Sequence, residues 1–165
     1  GAADAKGLEL EASIYPVDGL MFDASVSYLD FEYTSPLNAQ GNLVNTGIPG
    51  SGIAPYTPEM SYAVGAQYDH NLENGKLSFR LDGAYQGKLY TNAENSSWSK
   101  IPGRFLANGR VSWSKDDSWK VSVEVQNLLD KYYFQSVSDV TTSLGVVTGV
   151  PGLPRTYSVS VERKF

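Results

Sequence analysis

Apolar and polar residues alternate along most of this chain. The alternation has a period of two in seven segments, at 8–15, 20–33, 59–69, 77–90, 105–114, 119–126 and 156–165. A β-strand directs successive side chains to opposite sides, so each segment predicts a strand with one apolar and one polar face. Only 126–133 is also compatible with a helix. The pattern therefore predicts an all-β, antiparallel fold of about seven consecutive strands that form an open curved sheet.

The connections between these segments differ strongly in length. Short, turn-forming links lie at 17–19, 71–75 and 115–118, and they alternate with long ones at 34–58, 91–104 and 127–155. The long links are rich in Gly, Ser, Asn, Thr or Pro, which favours loops. Tight turns at one end and long loops at the other are typical of bacterial outer-membrane β-barrels, and a soluble meander is also compatible with them.

Charge is concentrated on one register. The alternate positions that carry the apolar side chains of the seven segments form the apolar register. Between the aromatic residues near its two ends, this register carries one charged residue, Arg163. The opposite register carries twelve, namely Glu9, Glu11, Asp23, Asp69, Arg80, Asp82, Lys88, Arg110, Lys120, Glu124, Glu162 and Lys164. A barrel with an apolar outside and a polar interior fits this distribution, and so does a β-sandwich with a dry core.

Aromatic residues on the apolar register form two groups, one near each end of the strands. Amphipathic aromatic side chains settle at the two interfaces of a membrane, so paired groups favour a barrel over a sandwich. We expect a girdle near the short turns at Phe22, Tyr68, Phe79, Trp113, Trp119 and Phe165, and a girdle near the long loops at Tyr28, Tyr62, Tyr85, Phe105 and Tyr157.

Composition narrows the function classes. The 165 residues are 41% hydrophobic, which is sufficient for a folded domain, and the net charge of -5 offers no basic surface for nucleic acid. The chain has no cysteine and a single histidine, His70, so a thiolate metal site and a hydrolase triad are not expected. No apolar run approaches the ~18 residues that a membrane-spanning helix needs. We expect neither an enzyme nor a bound cofactor.

The C-terminal part of the sequence resembles a known family. The stretches Val-Glu-Val-Gln-Asn-Leu-Leu-Asp-Lys-Tyr-Tyr at 123–133 and Pro-Gly-Leu-Pro-Arg-Thr-Tyr at 151–157, with the terminal Phe165, resemble the end of TonB-dependent outer-membrane receptors. In that family a barrel of about 22 strands is plugged by an N-terminal domain. The resemblance implies that 1–165 is the C-terminal portion of such a barrel in the bacterial outer membrane. It also implies active uptake of a scarce nutrient, most commonly a ferric siderophore, energised through TonB.

The resemblance also defines the expected partners. No plug segment or coupling peptide is visible in the sequence, and seven strands would leave two unpaired edges, so we expect a piece of a larger barrel. Its partners would be outer-membrane lipid, its own plug domain and remaining strands, TonB, and a small-molecule substrate. Two alternatives stay open: another outer-membrane barrel such as a porin, and a secreted β-sandwich that binds carbohydrate through Tyr and Trp.

Candidate site residues fall into four groups. In the resemblance, a final strand such as Tyr157, Val159, Val161 and Phe165 closes the barrel and is the signal for outer-membrane assembly. Loops on a rigid scaffold carry recognition, so substrate contacts are expected from Tyr33, Tyr56, Tyr90, Trp98 and Arg155. We expect Asn127 and Asp130 to cap a turn. Inward charges should form a network that meets the plug: Arg80, Asp82, Arg110, Lys120 and Glu124.

Overall fold

The computed structural model describes residues 2–44, 46–115 and 118–164 of the chain. In chain order its elements are β1 (Ala3–Val17), β2 (Leu20–Tyr33), β3 (Met60–Leu72), β4 (Gly75–Gln86), β5 (Leu89–Tyr90), the 3-10 turn η1 (Ser97–Ser99), β6 (Lys100–Ile101), β7 (Arg104–Lys115), β8 (Trp119–Gln126), β9 (Phe134–Val140), α1 (Thr141–Leu144), β10 (Val146–Pro151) and β11 (Thr156–Arg163). The seven long strands form one antiparallel sheet in the order β1-β2-β3-β4-β7-β8-β11. The predicted all-β fold is confirmed. Among the described residues no helix is long and apolar enough to cross a membrane.

Tight turns lie together at one end of this sheet. Val17 faces Leu20 across a two-residue turn, in which Gly19 takes the left-handed backbone with φ 79°. Leu72 faces Gly75 across a second two-residue turn. At the third, Lys115 faces Trp119, and Asp116 and Asp117 between them lie outside the described residues. The predicted division into a short-turn end and a loop end is confirmed.

The apolar face of the sheet is not covered by a second layer within the described part of the chain. Leu81, Val123 and Val159, near its middle, have 53%, 48% and 71% of their surface exposed. Among the residues that the structure describes, the buried apolar ones are Leu43, Leu89, Ile101 and Ala107, of which only Ala107 belongs to the sheet. A β-sandwich would bury this face, so the structure favours the barrel alternative.

On β1 and β2 the uncharged part of the apolar face ends before the strands do, and charged residues follow it toward the loop end. Leu8 of β1 faces Tyr28 of β2, and beyond that pair the same register continues with Lys6 facing Asp30 and then with two acidic residues, Asp4 and Glu32. The prediction that the first strand begins at Leu8 is therefore wrong, because β1 continues to Ala3 after its alternation of apolar residues stops. On the opposite face, Leu29, Phe31 and Tyr33 are apolar or aromatic. The two faces thus exchange polarity at the loop end.

Two further predictions fail at the loop end. The fourth segment was expected to reach Tyr90, but β4 ends at Gln86, and the amide of Gly87 then donates to the Met60 carbonyl at 2.8 Å. A Cβ at Gly87 would stand 2.8 Å from that oxygen, so the chain leaves the sheet where glycine allows it. The segment 127–155 was expected to be a loop, but it holds the β9–β10 hairpin.

Candidate ligand-binding site at the loop end of the sheet

Three long segments pack against one another above the sheet: loop A (34–58), loop B (87–103) and loop C (127–155). Loop C is bonded to both others through β9. The Tyr56 hydroxyl of loop A lies 3.1 Å from the Ser136 hydroxyl. From loop B, the Thr91 hydroxyl donates to the Val137 carbonyl, and the Ser96 hydroxyl donates to the Asp139 carboxylate. The three loops therefore form one hydrogen-bonded unit.

Asn95 joins loop A to loop B. Its side-chain oxygen accepts from the Ile53 amide at 2.7 Å, and its side-chain nitrogen donates to the Ile53 carbonyl at 2.9 Å. The same nitrogen is 3.1 Å from the Asn92 carbonyl. Asn95 has a φ of 51°, in the left-handed region that asparagine tolerates better than most residues. The side chain thus acts as a clamp on the backbone of the neighbouring loop.

The centre of the loop unit is the small β5–β6 pair. Leu89 and Ile101 face each other there and are almost completely buried, as is Ser99. The Ser99 hydroxyl donates to the Asn92 side-chain oxygen at 2.7 Å, which satisfies it in that interior. The unit therefore has its own buried centre.

Asp139 is the carboxylate that ties loop C to loop B. Hydrogen bonds from the Ser96 hydroxyl, and then from the hydroxyl and amide of Thr141, stabilise its charged form and lower the pKa of Asp139 below its ordinary value. The residue therefore stays ionised at neutral and mildly acidic pH, with its bond to loop B in place.

A cavity of about 290 Å³ lies between the loop end of β2 and loops A and B. Its wall combines aromatic and apolar side chains with an ammonium group, carboxylates and amide and hydroxyl groups. This combination can hold a small amphipathic molecule that makes several hydrogen bonds. The lining residues are Leu29, Asp30, Phe31, Ser51, Ile53, Thr57, Glu59, Lys88, Tyr90 and Asn95.

The structure places the residues predicted to contact substrate at different points of the loop unit. Tyr90 lines the cavity, and Tyr33 packs edge-on against the lining Phe31 at 4.9 Å. Tyr56 and Trp98 lie outside the cavity wall and are 53% and 64% exposed. Several lining residues are not among those predicted from the sequence. Phe31 lies two residues before Tyr33 on the same face of β2, so the alternation could have predicted it as a neighbour of the site. Glu59 and Lys88 continue the polar registers of β3 and β4.

Asn127 and Asp130 organise the point where β8 enters loop C. The Asn127 side chain accepts from the Lys131 amide at 2.9 Å and donates to the carbonyls of Lys131 and Leu153. The Asp130 carboxylate accepts from the Arg155 amide and forms an ion pair with its guanidinium at 3.6 Å. These bonds confirm the predicted turn cap for Asn127, whereas the Asp130 carboxylate bonds to Arg155, 25 residues farther along the chain, and gives that residue a loop carboxylate as partner.

The polar face carries an ion network in which a glycine is essential. Asp23 of β2 and Asp82 of β4 both face Gly65 of the intervening β3. Arg80 reaches across that glycine to bond both Asp23 oxygens, and its Nε donates to Asp82 at 2.7 Å. A Cβ at Gly65 would stand 2.5 Å from an Asp23 oxygen. The absent side chain therefore opens the path for the guanidinium.

Other predicted inward charges are more loosely arranged. Arg110 faces Glu124, with Nε 4.0 Å from the carboxylate. Lys120 lies opposite Glu162 in the register of β8 and β11. The structure thus joins Arg80 to Asp82 and Arg110 to Glu124, in two separate groups.

The predicted aromatic residues occupy the apolar face as two bands. At the loop end, Tyr62 stacks on Tyr85 at 5.0 Å and lies 6.4 Å from Phe105, so the band crosses three neighbouring strands. At the short-turn end, Tyr68 faces Phe79 across β3 and β4. Phe22, Trp113 and Trp119 share that end, and Phe165 lies outside the described residues.

Comparison with known proteins identifies the family. The family described as "TonB dependent receptor-like, beta-barrel" matches residues 1–128 of the chain. The chain belongs to the TonB-dependent receptor family. Members of this family are transport receptors and not enzymes, and they sit in the bacterial outer membrane.

Individual relatives of this TonB-dependent receptor chain are considerably longer than it is. It is 26% identical over 174 residues to the ferric-pyoverdine M114 receptor PbuA of Pseudomonas sp. (strain M114), with all of this chain and 19% of PbuA covered. The ferric yersiniabactin uptake receptor FyuA of Yersinia pestis shares the fold, with a TM-score of 0.82 at 20% identity over 99% of this chain and 24% of FyuA. The ferric preacinetobactin receptor BauA of Acinetobacter baumannii gives a TM-score of 0.69 at 26% identity, over 96% and 22% respectively. The chain thus spans about a fifth of the length of the relatives it matches.

Proposed function

We propose that this chain is the C-terminal part of the barrel wall, with its extracellular loops, of an outer-membrane receptor that imports a ferric siderophore with energy supplied through TonB. The family match supports the class of receptor. The class of substrate is supported by PbuA, FyuA and BauA, which are receptors for ferric pyoverdine, ferric yersiniabactin and ferric preacinetobactin. The plug domain and the earlier strands would be supplied by the rest of the receptor.

The observation that carries the membrane assignment is the uncovered apolar face. Within the described strands, the charged residues on this face between the Leu8–Tyr28 pair and the short-turn end are Lys115 and Arg163, which both face Trp119 at that end. An aromatic band borders each side. From Phe105 to Trp113 the eight-residue rise is about 26 Å along the strand, or near 20 Å when tilted, against an apolar band of ~25 Å. Acyl chains are the solvent that stabilises such a surface.

In this orientation the loop unit is extracellular and the polar face lines the barrel interior. The cavity at the loop end then stands at the mouth of the barrel, where a ligand arrives. Tyr90 and Lys88 line it and Tyr33 packs beside it, so we assign ligand contact to these three side chains. The network around Arg80 would face the plug domain. Tyr157, Val159, Val161 and Phe165 would form the closing strand and the assembly signal.

The assignment is tested with the full-length receptor in a strain that lacks the intact gene. We expect growth on a defined ferric siderophore to require the gene and also TonB. A porin would instead support diffusion of small solutes in the absence of TonB. Failure of every ferric siderophore tested to show gene-dependent uptake would contradict the proposed substrate class.

Ligand contact is tested by substitution in the same receptor. Tyr90→Ala should weaken siderophore binding roughly tenfold, since the loss of one aromatic contact costs about 1.4 kcal/mol, with no change in receptor abundance. Tyr132→Ala is the matched control, because Tyr132 is 75% exposed on loop C and does not line the cavity. Equal binding by the two variants would remove Tyr90 from the site.

A further inference from the structure

The outer strand of loop C has an unpaired edge. β10 pairs with β9 along one side, and within the described residues no backbone hydrogen bond joins its other side to another element. All six residues of β10 are exposed. The whole stretch 140–154 contains no charged residue. Proteins normally protect an exposed strand edge with charge, proline or a bulge, or they cover it. Pro151 and the register shift beside it protect only the end of β10, so the edge from Val146 to Val150 is expected to be covered.

The free edge of β10 faces away from the other loops. The inner strand of the hairpin is β9, whose backbone is bonded to the rest of the structure. The Val137 carbonyl accepts from the Thr91 hydroxyl, and the Phe134 carbonyl accepts from the Arg104 guanidinium at 3.2 Å. Loop B and the start of β7 therefore contact the backbone of β9, and no backbone hydrogen bond among the described residues reaches the outer side of β10.

This open edge continues the open edge of the sheet. At the top of the wall Gln126 of β8 faces Thr156 of β11. Above them the two chain segments stay bonded, because the Asn127 side chain donates to the Leu153 carbonyl at 3.1 Å and the Gly152 amide donates to the Tyr133 carbonyl at 2.8 Å. β9 and β10 then pair directly. Since β9 follows β8 and β10 leads into β11, the free edges of β10 and β11 lie on the same side.

We propose that the strand that pairs with β11 in the closed barrel continues beyond the membrane and adds itself to β10, so that the barrel seam extends into the extracellular loops. This inference rests on the proposed function. The occupant is an extended segment of the same receptor, and a receptor of the length of PbuA, of which this chain covers 19%, would provide it. Backbone pairing at a strand edge requires no particular side chains, which fits an edge built of Val, Thr and Gly up to Pro151, the last residue of β10.

The test uses disulfide formation in the full-length receptor. Thr148→Cys is combined with single cysteines scanned along the upward extension of the strand that pairs with β11. We expect an intramolecular disulfide in more than half of the molecules at one position, with a weaker signal two residues away and none at the position between them. Successive side chains alternate between faces, so only that pattern fits strand pairing.

Two control variants separate this inference from the proposed function. Ser138 of β9 faces Thr148, so Ser138→Cys lies one strand spacing, about 4.8 Å, farther from the seam and should give no disulfide. Ser158→Cys on β11 reports closure of the barrel itself. If Ser158→Cys links to the neighbouring strand and Thr148→Cys does not, the inference fails while the barrel assignment stands; if neither links, the barrel assignment fails as well.

Hydrogen exchange of 146–151 in the unmodified receptor gives a second reading. Pairing on both sides should slow nearly all β10 amides by at least tenfold relative to Thr142 and Ser143 in the adjacent α1 segment. Three results would each overturn the inference. They are protection confined to alternate amides, protection that appears only after a peptide ligand is added, and a Thr148→Cys disulfide between two copies of the receptor.

Discussion

Asn95 offers a direct test of the loop unit, because its side chain alone supplies both hydrogen bonds to Ile53. Each bond is worth about 1 kcal/mol net, so removing both should cost about 2 kcal/mol of the free energy that holds loop A against loop B. That loss corresponds to a roughly 30-fold increase in the opening equilibrium. Asn95→Gly is the informative change, since glycine also tolerates the φ of 51°. Asn95→Ala should cost about 1 kcal/mol more, because alanine is strained in that region.

The assay is hydrogen exchange of peptides that cover 51–57 in the full-length receptor. We expect Asn95→Gly to raise exchange there and to weaken binding at the adjoining cavity. Asn38→Gly is the matched control: the Asn38 side chain accepts from the amides of Gln40 and Asn42 within loop A, so only exchange near 40–42 should change. Unchanged exchange at 51–57 in Asn95→Gly would refute the claim that this residue clamps the loops.

Three further predictions concern the wall, the loop contact at Asp139 and the C-terminus. Gly65→Val should displace the Arg80 guanidinium and lower the unfolding free energy of the receptor in a urea titration by about 1 kcal/mol. Gly109→Val should not, because a Cβ there meets only ordinary contacts. Equal effects would contradict the ion pairing of Arg80 across Gly65. The hydrogen bonds that lower the pKa of Asp139 should hold loop B to loop C above pH ~4, and they should be lost as pH falls through that lowered pKa. The fluorescence of Trp98 on loop B can report this loss in a variant without the other tryptophans. Asp139→Asn should remove that transition, and its persistence would assign it to another group. Deleting Phe165 should reduce the amount of full-length receptor in the outer membrane, and an unchanged amount would exclude its role as an assembly signal.

The strands were predictable because one simple physical signal specifies them. In β8, for example, Trp119, Val121, Val123 and Val125 alternate with polar residues, and the observed bounds coincide with the predicted ones. The errors occur where that signal stops. Asp4 and Lys6 interrupt the apolar register of β1, yet backbone pairing with β2 continues past them. Strand pairing needs a neighbouring backbone and does not need an apolar face.

Most of the hydrogen bonds that hold the loop unit together could not be predicted from the sequence, because they join residues far apart in the chain. Asn95 and Ile53 are separated by 42 positions, and no periodicity links them. The β9–β10 hairpin lacks a regular alternation of apolar and polar residues, so its sequence predicts a loop. The cavity was found only in part: Tyr90 was predicted from its residue type, whereas Lys88 and Glu59 gain their place from the way loops A and B fold over β2.

The central claim is that the apolar face meets lipid and the polar face meets a hydrated interior. Val64 and Ala63 are adjacent on β3, point to opposite faces and are both exposed, so they form a matched pair. In the full-length receptor folded in a bilayer, Val64→Lys should lower the unfolding free energy by about 2–4 kcal/mol, and Ala63→Lys should change it by about 0.5 kcal/mol or less. A large loss in Ala63→Lys with none in Val64→Lys would contradict the account.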